Sequence, residues 1–245
     1  MSNVRSLFVK RPLEGRRLAI SDIHGCSRTF KKLLSKVKLT KKDQLFLLGD
    51  LVNKGPNSDK VLNRVLKLRN QGYQIFITLG NHEQIILNSN LKSEGQRKRT
   101  LNGMNSLNLL KGKMVRKEYL RLFKSSYHFI ETDQHYLVHA GFNSSKNPFE
   151  EKKSMLNTRD FKYKSELFHE KQILIGHTPT ELDEIKERVK KEKRVICIDN
   201  GCVNRTEKNQ GGLVCLNLDT KKIISKKYAE REQKKSFSIL REAFL

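Results

Sequence analysis

A chain of 245 residues, 36% hydrophobic and 31% charged, can bury one sizeable core and lies outside the compositions of disordered, collagenous and membrane-spanning chains. Its formal net charge of +24 points to anionic partners. Such a field speeds encounter with phosphorylated or nucleotide substrates and supports weak, sequence-independent nucleic-acid binding, while saying nothing about fold. The apolar piece Leu7-Phe8-Val9 is too short for a leader core or a membrane span, and Cys26, Cys197, Cys202 and Cys215 show no CxxC spacing. The expectation is a cytoplasmic protein with free thiols and no membrane partner.

In chain order, Leu18 to Ser21 reads as a strand. Cys26 to Val37 reads as a helix, because Phe30, Leu33, Leu34 and Val37 recur at helical spacing. Gln44 to Leu48 is a second strand, Ser58 to Leu68 a second helix and Tyr73 to Leu79 a third strand. This alternation predicts an α/β architecture. Residues 90–124 turn helical and basic, with Leu107, Leu110, Met114, Tyr119, Leu120 and Phe123 as an apolar stripe, and are expected to form an inserted helical cap. Strands follow at Tyr127 to Glu131, His135 to His139, Gln172 to Gly176, Val195 to Asp199, Gly212 to Asn217 and Lys222 to Lys227. Ser144 to Lys153 and Glu181 to Lys193 read as surface loops, the latter with a helical turn or two. The expected organisation is one domain over 1–245, with a core at about 16–227 and a closing helix over 229–245.

The predicted strands end in side chains suited to metals. Ser21-Asp22-Ile23-His24-Gly25 follows the first, Gly49-Asp50-Leu51-Val52-Asn53-Lys54-Gly55 the second and Gly80-Asn81-His82-Glu83 the third. His139-Ala140-Gly141 and Gly176-His177-Thr178 end two later ones. Any one fragment alone reads as a turn former. Five in order, at the strand ends where α/β folds build sites, point to a metal centre. Carboxylate, imidazole and amide donors without thiolate suit Mn²⁺ first, with Fe or Zn²⁺ as alternatives. Two ions about 3.5–4 Å apart need a shared ligand, and the Asp50 carboxylate can bridge them, activating a water as nucleophile. His128, His135 and His169 fall at no motif position and read as structural or surface residues.

These fragments resemble the phosphoprotein phosphatase family of calcineurin-like metallophosphoesterases, whose signatures run GDxHG, GDxVDRG and GNHE or GNHD. Here they stand as SDIHG, GDLVNKG and GNHE, and the resemblance extends from about Leu18 to Leu218. It implies a two-sheet α/β/β/α sandwich and two divalent metal ions. Asp22, His24 and Asp50 would hold one ion; Asp50, Asn81, His139 and His177 would hold the other. His82 would be the general acid and Asn53 its partner, while Lys54, Asn81 and Arg159 would bind substrate phosphate.

Asn53-Lys54 replaces the family's Asp-Arg pair. A neutral amide in place of the aspartate predicts a weaker acid, and a lysine binds phosphate as a point charge without arginine's planar fork. The leading expectation is a serine/threonine protein phosphatase-like hydrolase acting by attack of a metal-bridging water. The alternative is a dinucleoside polyphosphate (diadenosine tetraphosphate) or RNA-cap hydrolase, favoured by the run GDLVNKGPNS from Gly49 and by Ile198-Asp199-Asn200-Gly201-Cys202. A third reading is an inactive anion- or RNA-binding protein.

Overall fold

The computed structural model describes residues 4–143 and 147–231. Two five-stranded sheets form the body. The first holds β2 (Arg17–Ile20), β3 (Gln44–Leu47), β4 (Gln74–Ile77), β11 (Gly212–Asn217) and β12 (Ile223–Lys227) in the order β12-β11-β2-β3-β4. The second holds β1 (Ser6–Phe8), β7 (Phe129–Glu131), β8 (His135–Val138), β9 (Gln172–Ile175) and β10 (Val195–Cys197) in the order β1-β7-β8-β9-β10. β2, β3 and β4 are mutually parallel, and so are β8, β9 and β10.

Alternation along the strands builds the layers. In β2, Ala19 faces the other sheet, in one apolar cluster with Phe46, Leu137, Leu174, Ile196 and Val214. Its neighbours Leu18 and Ile20 point the opposite way, into a cluster with Phe30, Leu33, Val61, Leu62 and Val65. Those last residues come from α1 (Ser27–Val37) and α2 (Ser58–Asn70), which cover the outer face of the first sheet. The second sheet turns Phe129, Tyr136, Val138 and Ile173 outward against Phe142, Met155 and Phe168. The short helices α6 (Lys152–Asn157) and α7 (Ser165–Phe168) supply Met155 and Phe168. The result is the expected α/β/β/α sandwich.

Several sequence expectations change. The apolar stripe through residues 107–123 is not one helix. After α3 (Asn81–Asn90) and α4 (Glu94–Gly103) come a 3₁₀ turn over Leu107–Leu109, a hairpin of β5 (Leu110–Lys111) and β6 (Met114–Val115), and only then α5 (Lys117–Ser125). Gly112, at φ 61°, supplies the left-handed residue that turns the hairpin. Leu107 and Met114 are exposed, while Tyr119, Leu122 and Phe123 bury the face of α5. The predicted loop over 181–193 is a nine-residue helix, α8 (Leu182–Lys190), whose buried Ile185 and Val189 stand four residues apart. β1 emerges from the piece Leu7-Phe8-Val9 by pairing in parallel with β7. Of the expected helix over 229–245, residues 229–231 are irregular, and the rest lies outside the described residues, as do residues 144–146 of the predicted loop. No helix among the described residues is long and apolar enough to cross a membrane, and all four cysteines are buried and free.

Candidate metal centre

The C-terminal ends of β2, β3 and β4 in one sheet and β8, β9 and β10 in the other meet at one edge. There they deliver Asp22 and His24, Asp50, Asn81, His139, His177 and Asp199. Six side chains of this edge sit on strained backbone in the left-handed region: Asp22 (φ 46°), His24 (45°), Asp50 (50°), Asn53 (71°), Lys54 (61°) and His177 (68°). Each such non-glycine residue costs on the order of 1–2 kcal/mol, a cost that concentrates at functional sites. Close approach forbids side chains at two of the glycines. A Cβ on Gly80 would lie 2.4 Å from the Asp50 backbone nitrogen, and one on Gly176 would lie 2.0 Å from Asp22 Oδ2.

Asp50 is the centre of the arrangement. Its Oδ1 accepts the His82 backbone N–H at 3.1 Å, which leaves Oδ2 facing three imidazole Nε2 atoms: His139 at 3.5 Å, His24 at 3.7 Å and His82 at 3.8 Å. Glu83, in the first turn of α3, holds the Asp50 loop from behind. Its buried carboxylate accepts the backbone N–H groups of Asp50 (2.9 Å), Leu51 (2.9 Å) and Gly80 (3.0 Å). The same loop orients two imidazoles through its carbonyls: His139 Nδ1 donates to Leu48 at 2.8 Å and His24 Nδ1 to Val52 at 3.0 Å. Each ring then turns an Nε2 lone pair inward.

The inward groups are too many acceptors for too few protons. His139 Nε2 lies 3.0 Å from Asn81 Oδ1 and 3.1 Å from His177 Nδ1. Asp22 Oδ2 accepts from Ser21 Oγ and, at 3.0 Å, from the His177 backbone N–H, while Asp22 Oδ1 is buried with no partner and stands 3.9 Å from His24 Nε2. Converging lone pairs and an orphaned buried carboxylate oxygen call for cations. The donor set fits divalent metal ions: Asp22, His24 and Asp50 could hold one, and Asp50, Asn81, His139 and His177 another. Among the described residues, two trios, His24-Asp50-His82 and Asp50-His139-His177, each have ligand atoms within 4.8 Å of one another and share Asp50; the first brings in His82 where the expected set has Asp22.

Electrostatics agree with this. Burial raises the Asp22 and Asp50 carboxyls well above their ordinary range, reinforced by Asp199 and by Glu83 respectively, and burial lifts Asp199 to about 6. These are carboxylates packed without enough positive charge of their own. Burial also holds His24 and His177 neutral, the form a metal needs, with His177 falling to about 3, helped by His139 and Arg159. Burial, helped by Lys54, lowers His82 to about 4. Lys54 Nζ meets His24 Nε2 at 2.9 Å, so the predicted phosphate-binding lysine stands inside the cluster. Arg159 is exposed on the loop after α6, near enough to His177 and Asp199 for its charge to depress both.

Every predicted site residue lies at this edge. Sequence reasoning gave no role to Glu83 or Asp199. Both stood inside quoted motifs at predicted strand ends, and that position was the available signal. Asn53 meets its predicted partner His82, its Nδ2 donating to His82 Nδ1 at 2.9 Å. His128 and His135 are buried away from the motifs and His169 is exposed, as expected.

Imidazole, carboxylate and amide donors gathered at the edge of a two-sheet sandwich make a metal-dependent hydrolase. Residues 15–207 match the calcineurin-like phosphoesterase family, and the chain belongs to that family. Among curated relatives, a symmetrical bis(5'-nucleosyl)-tetraphosphatase of Buchnera aphidicola is 51% identical over 65 residues, which is 26% of this chain and 23% of that protein. The enzyme of the same name from Nitrosospira multiformis is 43% identical over 70 residues, 28% of this chain and 24% of that protein. The matches thus span about a quarter of these relatives' length. Among solved structures, a candidate diadenosine tetraphosphatase superposes with a TM-score of 0.60 at 19% identity, covering 91% of this chain and 97% of that one. A protein serine/threonine phosphatase from Saccharomyces cerevisiae gives 0.61 at 13% identity, covering 94% and 86%. Both likenesses are of fold.

Proposed function

We propose that this metallophosphoesterase hydrolyses nucleotide polyphosphates, with a dinucleoside tetraphosphate as the type substrate, rather than phosphoserine or phosphothreonine in proteins. The observation that carries this reading is the Asn53 amide donating to His82 Nδ1 at 2.9 Å. An aspartate there would accept a hydrogen bond from the ring Nδ1–H and stabilise an imidazolium. An amide donor favours a neutral ring, which hydrogen-bonds to a departing oxygen but protonates it poorly. A departing nucleoside phosphate needs little more, since its oxygen has a conjugate acid of pKa about 6. A departing serine alkoxide is nearly as basic as hydroxide and needs a full proton. The names of the curated relatives support the same substrate class.

In this reading Asp22, His24 and Asp50 hold one divalent ion and Asp50, Asn81, His139 and His177 a second, Mn²⁺ in preference to Fe or Zn²⁺. The ions, when bound, polarise the phosphoryl group and activate water. The chain's own residues do the rest. Lys54, Asn81 and Arg159 bind and orient the phosphate, and His82 presents its Nε2–H toward the leaving oxygen. A cavity of about 350 Å³ beside the two motif loops, lined by Arg28, Lys31, Lys60 and Arg64, adds positive charge suited to a polyanion.

The test is phosphate-ester cleavage with Mn²⁺, with a chelated control and a His82→Ala enzyme, on diadenosine tetraphosphate and on matched phosphopeptides. The expected outcome is a kcat/KM at least about tenfold higher for the dinucleotide. A preference for phosphopeptides would overturn the substrate class, and turnover of neither would return the chain to a binding role.

A further inference from the structure

Asn53 makes its contact with His82 only because something fixes which end of its amide faces the ring. Asn53, Ser58 and Ser106 are all fully buried. The Asn53 backbone N–H donates to Ser58 Oγ at 2.9 Å, Ser58 Oγ lies 3.2 Å from Ser106 Oγ, and Ser106 Oγ–H donates to Asn53 Oδ1 at 2.5 Å. The amide oxygen is thus on the serine side, where the hydroxyl donates to it, and the amide nitrogen is on the ring side. The nitrogen's other contact is Met104 Sδ at 3.7 Å, an acceptor only, which suits an N–H and not a carbonyl.

Ser106 does not belong to the motif loop. It lies between α4 and the 3₁₀ turn, in a stretch that clasps that loop from outside. Met104 O accepts the Lys54 N–H at 3.1 Å, and Asn105 Nδ2 donates to Lys54 O at 3.2 Å and Gly55 O at 3.3 Å.

We propose that Ser106 is a positioning residue for His82: through Asn53 it keeps the His82 ring proton on Nε2. The chain runs from the Ser106 hydroxyl to Asn53 Oδ1, and from Asn53 Nδ2–H to the His82 Nδ1 lone pair. A neutral ring whose Nδ1 is an acceptor must carry its proton on Nε2, the nitrogen 3.8 Å from Asp50 Oδ2 and on the substrate side. Without the serine hydroxyl, Asn53 Oδ1 is buried with nothing to accept from, and the amide gains by turning its oxygen toward the ring. The proton then moves to Nδ1, and a bare Nε2 lone pair faces the anionic phosphate.

This proposal rests on the reading of His82 as the group facing the leaving oxygen, but its test needs no substrate. In the Zn²⁺-loaded full chain labelled with ¹⁵N-histidine, two-bond proton–nitrogen correlations report which ring nitrogen of His82 is protonated, and the loss of one ring system in His82→Gln assigns it. Wild type and Ser106→Thr are expected to show Nε2–H with a bare Nδ1, Ser106→Ala to show Nδ1–H, and Asn53→Asp to show a protonated Nδ1, as Nδ1–H or as the doubly protonated imidazolium. In parallel, kcat of Ser106→Ala should fall about tenfold with KM within about twofold, and Ser106→Thr should recover it. An Nδ1–H pattern in wild type, or an unchanged pattern in Ser106→Ala, would overturn the proposal. If Ser106→Ala fails to fold by circular dichroism, Ser106→Gly decides in its place: a shift of the ring proton to Nδ1 supports the proposal and the wild-type pattern overturns it. A dinucleotide preference that fails while these patterns hold would count against the substrate class alone.

Discussion

Strand β8 begins with His135 and is followed directly by His139, and the two teach opposite lessons from similar surroundings. His135 and His139 are both buried. Burial and the nearby Lys221 hold the His135 ring neutral, with a pKa of about 3, the same value reached by His177 in the metal centre. Burial and depressed basicity therefore do not tell a candidate metal ligand from a structural histidine. The difference is in what meets the nitrogens. Lys221 Nζ lies 3.3 Å from His135 Nε2 and the Thr132 hydroxyl 3.4 Å from its Nδ1, so each nitrogen has a partner of its own. His139 Nε2 shares its space with Asn81 Oδ1, His177 Nδ1 and Asp50 Oδ2, none of which can donate to it while His177 Nδ1 is unprotonated.

The largest effect that would sharpen this contrast is at Asp50 and His139. Asp50→Asn removes the shared carboxylate, and His139→Ala removes a donor on which three others converge. Losing several kcal/mol of charge stabilisation corresponds to a fall in turnover of about 10³-fold or more. Bound metal per chain, measured by plasma mass spectrometry, should fall with it. His135→Ala, at the other end of the same strand, should keep its metal and stay within about twofold in kcat, while losing on the order of 2 kcal/mol of stability to urea. Equal losses of turnover in His135→Ala and His139→Ala would break the comparison.

Glu83→Gln sits next in size. The Glu83 carboxylate accepts three backbone N–H groups, two of them from the Asp50 loop. A glutamine offers one oxygen and turns an NH₂ toward the remaining donors, so the loop shifts and Asp50 loses its aim. Metal affinity by isothermal titration should weaken about 10–100-fold, the usual cost of disturbing a ligand's support. Unchanged affinity would mean that the Asp50 loop holds its place without Glu83.

Much of this was legible in the sequence because it is local. Leu18 to Leu48 alternates short apolar runs with residues at helical spacing, and the strand-end motifs name the donors themselves. What stayed hidden depended on partners far along the chain. β1 forms by pairing with β7, more than 100 residues away, and three apolar residues give no sign of that. α8 looked like a charged loop because only Ile185 and Val189 are fully buried in it. The stripe through residues 107–123 has helical spacing but contains Gly112, whose turn folds the first half back as a hairpin. The hydroxyl that meets the Asn53 amide oxygen, on Ser106, lies 53 residues along the chain, where no motif marks it.

The smallest effect expected is a pH dependence that belongs to His135 and not to the metal centre. Its pKa is about 3 in the fold and 6.5 in an unfolded chain, so between those values the unfolded state binds more protons than the native state. Stability contributed by the neutral ring is therefore complete above about pH 6.5 and drains away as pH falls toward 3. From pH 6 to 4.5 the loss is on the order of 2 kcal/mol. His135→Gln fills much of the same space with nothing to titrate, so urea midpoints of wild type and variant, measured with metal chelated throughout, should shift against each other in the variant's favour by that amount over this window. Chelation keeps proton-linked metal loss at the other end of β8 out of the measurement. Parallel curves would mean that His135 finds room to take its proton, and that Lys221 can withdraw from it at little cost.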